Sequence, residues 1–387
     1  MDERIFIPYG FLIVVDDVGW WCGYDQRYKN GPSRSGIERY HCIEDYKAII
    51  EIGKSLNMRI KCGFVAGEWD RNNILAKVPN SNKHGSDWDN ASRLHPQIEE
   101  AAHLINANSP YIELAMHGVM HMYRDDDGKM QPAEFYQRDE KTGKNRMTPP
   151  SVIRRHIDAF FEILRQNRLS TDIVSFIPPC FIYTYSKEDD HLSHILAEYG
   201  IKYISTPFPS MQYTSSEKPV SACVENGIIT VDRTGDLTGW YEVDAKTPET
   251  IKKSYYGMHW PNFLNQDPDK NMDTVNRWIR YFKKYEGQFE ILPARNNMEG
   301  SSQALYKRFI DMKVSEDKAV LDFTEPNLRE ATGLTDYFFI NAKNNVTLSA
   351  DSSVDIEADK IYEDYTTYKI TRKKPYSPYA VLTINSR

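Results

Sequence analysis

From residue 11 to residue 312, short apolar runs alternate with amphipathic stripes, and this alternation restricts the possible folds more than any other feature of the chain. Mostly apolar runs of strand length lie at 11–15, 59–65, 112–116, 173–183, 201–205 and 289–292. Between them fall helical stripes. Tyr46, Ile49, Ile50, Gly53 and Leu56 make one in 42–56, and Ile98, Ala101, Ala102 and Ile105 make another after Pro96. Ile153, Ile157, Phe160, Phe161 and Leu164 mark a helix over 149–167; further helices are predicted over 191–199, 273–285 and 302–312. Strands alternating with helices predict an α/β fold. A local hairpin is expected in 220–243, with turns at Asn226-Gly227 and Thr234-Gly235. Beyond Lys313 the stripes stop, and AVLDF, DYFFINA, VTLSA, YTTYKIT and AVLTI follow as strands alone, so a small β-sandwich-like module is expected there.

The composition excludes several partners. With 48 Lys and Arg against 55 Asp and Glu, the net charge of −7 disfavours nucleic acid and anionic membrane. No stretch approaches membrane-spanning length, and MDERIFIPYG lacks the basic-then-apolar pattern of a secretory signal, so export would require a leader outside this sequence. The cysteines Cys22, Cys42, Cys62, Cys180 and Cys223 form no Cys-x-x-Cys pair, which points away from a thiolate zinc site and from a dense disulfide framework. Abundant aromatic residues suit stacking on sugar rings or a large core.

Three strands stop at residues with chemistry. In YIELAMHGVMH the run ends at His117, Gly118 permits a turn, and His121 follows, so two imidazoles can reach one ion. In FLIVVDDVGWW the run ends at Asp16 and Asp17. Adjacent strand residues face opposite sides of a sheet, so both carboxylates reach one cavity only where the strand is ending, which is expected at Val18-Gly19. A buried acid pair requires a cation, leaving one carboxylate to ligate and the other to act as a base. SYYGMHWPNF ends a further strand at His259, and α/β barrels gather catalytic groups at the C-terminal ends of their strands. The bland alternatives are strand-end histidines without a ligand and an Asp pair in a solvated turn. Long polar excursions follow at 70–94 and 122–148. His84, Trp88 and His95 read as solvated, His156 as a surface or core histidine, and His191 and His194 as polar-face residues of a helix.

Asp16-Asp17, His117-Gly118-x-x-His121, Phe176-x-Pro178-Pro179 and His259, in that order, resemble the polysaccharide deacetylase family, the nodulation-deacetylase-like carbohydrate esterases, and in particular its less characterised deacetylase-like branch. The resemblance implies a distorted (β/α) barrel over 1–312, with the sandwich-like module of 313–387 outside it. It implies that Asp17, His117 and His121 hold one divalent metal, usually zinc in such enzymes, although iron, cobalt or manganese suit the same ligands. Asp16 would then take a proton from water, His259 would protonate the leaving group, and a backbone N–H near Cys180 would help hold the oxyanion. Trp20, Pro179, Cys180 and Trp260 are the expected substrate-binding residues, and an acetylated glycan is the expected substrate.

Two departures stand out. Better-known members carry an arginine in the segment corresponding to 176–180, where this chain has Phe-Ile-Pro-Pro-Cys, and Gly118 replaces their usual Ser or Thr. Other amide or ester hydrolysis at the same metal, and a catalytically silent carbohydrate-binding surface protein, are the competing functional readings.

Overall fold

A computed structural model of the chain describes residues 4–22, 36–214, 218–234, 238–251 and 255–386. The sequence over 24–39, polar and rich in Gly, Ser and Arg, reads as a loop; it falls largely outside these residues, as does Gly235 of the second expected turn. Nine strands form the main sheet. Their order is Ala222–Glu225, Ile228–Asp232, Tyr203–Thr206, Ser175–Phe176, Ile112–Met116, Ile60–Phe64, Tyr9–Val18 and Tyr255–His259, with Ile291–Pro293 also pairing with Tyr9–Val18. Every pairing is parallel except the hairpin formed by the first two.

Parallel neighbours need long crossovers, and helices Ile43–Leu56, Ile98–Ala107, Pro150–Gln166, Leu192–Glu198 and Asn271–Lys283 lie between strands of the sheet, with Asn297–Phe309 following its last strand. Their expected stripes are the faces that pack. Ile153, Ile157, Phe160 and Leu164 are buried on Pro150–Gln166, while Asp158 and Arg165 on the same helix are exposed.

Among the described residues the strands do not pair into a closed barrel. The hairpin supplies the physical reason. Ile228–Asp232 uses one edge on Tyr203–Thr206 and the other on Ala222–Glu225, leaving no edge for Tyr255–His259. The hairpin turn is the expected Asn226-Gly227, whose positive φ values of 49° and 80° match the twist of the strands it joins. Only past the hairpin does the chain reach across the gap, through an isolated parallel bridge from Arg233 to Tyr255 and a 2.9 Å hydrogen bond from Thr234 N–H to the Tyr255 carbonyl.

The excursion at 70–94 is more ordered than a solvated loop. The buried Asp70 carboxylate accepts from the backbone N–H of Asn72, Ile74 and Leu75 and from the Trp88 indole, so Trp88 belongs to the core and not to solvent. His95 stacks on Trp21 with ring centroids 4.2 Å apart. After the last helix of the sheet layer, the chain forms two four-stranded antiparallel sheets, and the N-terminal strand Ile5–Phe6 joins one of them by pairing with Tyr337–Lys343. Phe338, Ile340 and Ile370 from one sheet and Leu321, Leu382 and Ile384 from the other are buried in one apolar cluster. No helix among the described residues is long and apolar enough to cross a membrane.

Candidate metal centre

Asp16 and Asp17 face the same cavity because the strand bulges just before it ends. The strand stops at Val18, as expected, but its register with Ile60–Phe64 already slips between Val15 and Val18, and Asp17 adopts φ 63°. This is a β-bulge, which re-aims a side chain by breaking the period-two alternation. Aspartate tolerates the left-handed region better than most residues. Gly63, opposite the bulge, keeps the space clear: a Cβ there would stand 3.2 Å from His117 Cγ and 3.4 Å from Asp16 Oδ1.

His117 follows directly on the buried strand Ile112–Met116, and its backbone N–H still bonds to the Phe64 carbonyl at 3.1 Å. Its Nδ1 donates to the Ile177 carbonyl at 2.8 Å, which fixes the tautomer and leaves Nε2 as the ligating lone pair. Nε2 lies 3.5 Å from Asp17 Oδ1, and the His121 Nε2 lies 3.7 Å from the same oxygen. One ligand atom from each of the three side chains falls within 4.8 Å of the others, and all three residues are buried. A carboxylate and two imidazoles converging at that spacing can hold a metal ion. Burial alone would lower the His117 pKa, yet the Asp17 hydrogen bond and the charges of Asp16 and Asp17 raise it, so the pocket already favours a positive charge.

The turn that brings His121 back is braced from outside. Gly118 has φ +91°, and a Cβ there would lie 2.2 Å from Glu134 Oε2, so no larger residue has room. In return, the Glu134 carboxylate accepts from the backbone N–H of Val119 and of Met120, each at 3.1 Å, and meets His156 Nδ1 at 2.9 Å. His156 Nε2 in turn donates to the Pro79 carbonyl at 2.7 Å. His156 is therefore a core residue with a task, which settles the surface-or-core alternative. Replacing Glu134 with Ala is expected to weaken metal binding by about 10- to 100-fold, the range typical of groups that orient ligands. Competition against a chromophoric chelator measures this; Glu134→Gln, which keeps an acceptor, should lose less, and unchanged affinity in Glu134→Ala would rule the brace out.

Sequence reasoning missed Arg233. Its guanidinium is fully buried, donates to Asp16 Oδ1 at 2.9 Å and lies 5.0 Å from the Phe181 ring centroid. It enters from the end of the hairpin strand, far in sequence from the segment where an arginine was looked for. Space for it comes from Gly257, where a Cβ would sit 1.9 Å from Nη2. The available signal was a single arginine directly after the apolar strand of the hairpin, together with a glycine in the strand that ends at His259.

His259 lies level with Asp16, its register partner across adjacent strands, and its backbone N–H bonds to Asn262 Oδ1 at 2.7 Å. Pro179 is buried and Cys180 exposed, in a segment where Cys180 and Phe181 both take positive φ and where Ile177 also anchors His117. Trp20 and Trp260 are placed differently from the expectation that they meet substrate. Both indoles are fully buried among the described residues, and Trp260 stacks on His41 at 4.1 Å with its Nε1 on the Asp45 carbonyl.

No protein-family model matches this chain, and no curated protein matches it in sequence. Among solved structures, a Mycobacterium smegmatis protein described as a polysaccharide deacetylase aligns over 79% of this chain and 91% of its own, at 13% identity and a TM-score of 0.41.

Proposed function

We propose that the chain is a metal-dependent hydrolase that removes acetyl groups from a polysaccharide or oligosaccharide, on a distorted barrel of the polysaccharide deacetylase type. One observation carries this reading: a buried Asp17, His117 and His121 group beside a second carboxylate, Asp16, that is held by Arg233. Asp17, His117 and His121 would hold a divalent ion, zinc by preference for this donor set, and bound there it would supply Lewis-acid polarisation of an acyl carbonyl and ease the deprotonation of water.

Asp16 is the base. Arg233 holds its Oδ1, whereas Oδ2 is buried without a hydrogen-bond partner among the described residues and is available to accept a proton. His259, level with Asp16 on the neighbouring strand, donates a proton to the departing amine or alcohol. Cys180 and Phe181 both take positive φ, the Phe181 ring lies 6.5 Å from that of His259, and a backbone N–H near Cys180 is the assigned oxyanion donor.

Replacing Asp16 with Asn is expected to leave bound metal in place and to lower turnover by about 10²- to 10⁴-fold, the usual contribution of a general base. Acetate release from acetylated oligosaccharides, with simple amides and esters in parallel, tests the reading; chelator should abolish it. Turnover of the simple substrates alone would move the assignment to another amide or ester hydrolase. Glycan binding that ignores chelator, with no acetate released, would replace catalysis by a binding role.

A further inference from the structure

We infer that the cavity at the junction of helix Asn297–Phe309 with the C-terminal sheets binds an acidic sugar residue through its carboxylate. The cavity has a volume of about 480 Å³, within the range of small-ligand sites, and none of its lining residues belongs to the candidate metal centre. Tyr306, Phe323, Arg329, Arg372, Tyr376 and Ser377 are among those lining it.

Charge comes first. The chain carries a net −7, yet among the described residues two arginines and no Asp or Glu line this cavity. Such a recess concentrates anions. Geometry narrows the class. The Arg372 guanidinium carbon lies 4.4 Å from the Phe323 ring centroid and 4.8 Å from that of Tyr376, so the rings hold the planar group in place. Arg372 bonds to the Ser377 carbonyl at 3.4 Å and meets the Tyr306 hydroxyl, which among the described residues leaves most of its five N–H donors for a ligand. A guanidinium with held faces and available edge donors matches a carboxylate in bidentate fashion, and little side-chain entropy remains to be lost on binding.

Tyr376, 47% exposed, adds a ring face and a hydroxyl at the rim. A ligand that is both anionic and ring-shaped uses all of these groups. A neutral sugar leaves the arginines unused, and a polyphosphate chain needs a longer basic track than two arginines provide. The preference for an anion stands apart from the proposed activity; only the choice of a sugar ring rests on it.

Titration calorimetry on the full chain, with glucuronate, glucose and inorganic phosphate as probes, tests the assignment. Glucuronate is expected to bind with a Kd on the order of 0.1–1 mM, with glucose and phosphate at least about tenfold weaker. Arg372→Gln and Tyr376→Ala should each weaken glucuronate about tenfold or more, whereas Asp17→Asn should leave its affinity unchanged. If Arg372→Gln does not fold, Arg329→Gln at its exposed position carries the same expectation.

Equal binding of glucose, undiminished glucuronate binding in the folded arginine variants, or phosphate as tight as glucuronate would each overturn the assignment. Glucuronate binding that persists while no acetylated glycan is turned over would remove the proposed activity and leave this pocket intact.

Discussion

Protein carrying Asp17→Asn or His117→Ala is expected to purify without metal, while the native chain holds about one zinc-like ion. Asp17 Oδ1 lies between the two imidazoles, 3.5 and 3.7 Å from their Nε2 atoms, so without its charge two neutral rings are left to hold a dication. Loss of an orienting group near a metal costs about 10- to 100-fold in affinity, and loss of a ligand costs more. Asparagine is the instructive substitution here. It tolerates the φ of 63° that the bulge imposes, so metal loss in Asp17→Asn reports the missing charge and not a collapsed backbone. Elemental analysis after purification without chelator decides the matter. Retention of a full equivalent in both variants would place the ion elsewhere and remove the centre.

Removing the arginine should damage the fold as well as the chemistry. Arg233→Ala leaves the Asp16 carboxylate, 1% exposed, without its cation, and breaking one partner of such a buried pair typically costs about 3–5 kcal/mol. Chemical denaturation of the metal-free protein should show this loss. Gly257→Ala is expected to act through the same pair, because its Cβ would occupy the position of the guanidinium. The double variant Asp16→Asn with Arg233→Gln separates stability from catalysis: it removes both charges together, so much of the stability should return while turnover stays lost. If Arg233→Ala is as stable as the native chain, Asp16 is neutral in the fold and the base assignment fails.

The strand-and-helix alternation was legible because period is a local property: Ile153, Ile157, Phe160 and Leu164 face inward on any helix of that sequence. The strand-end positions of Asp17, His117 and His259 were legible for the same reason, since an apolar run shows in sequence where it stops. Which side the acids face was not. Val18 continues the strand, and only pairing with Ile60–Phe64 reveals the bulge that turns Asp17 toward the histidines.

Burial misled at Trp20 and Trp260, because a tryptophan next to a motif has the same letter whether it lines a cleft or fills a core, and here both fill the core. Closure of the barrel depended on competition for a strand edge, which the hairpin partner Ala222–Glu225 wins. Taken alone, the sequence determined the α/β repeat, the hairpin turn at Asn226-Gly227 and the ordered series of acid and histidine strand ends. Tertiary structure alone decided the convergence of Asp17, His117 and His121, the Glu134–His156 brace, and the meeting of Arg233 with Asp16 across 217 residues of chain. The difference is physical: periodicity and turn chemistry act over a few residues, whereas charge pairing and exclusion of a Cβ act through space.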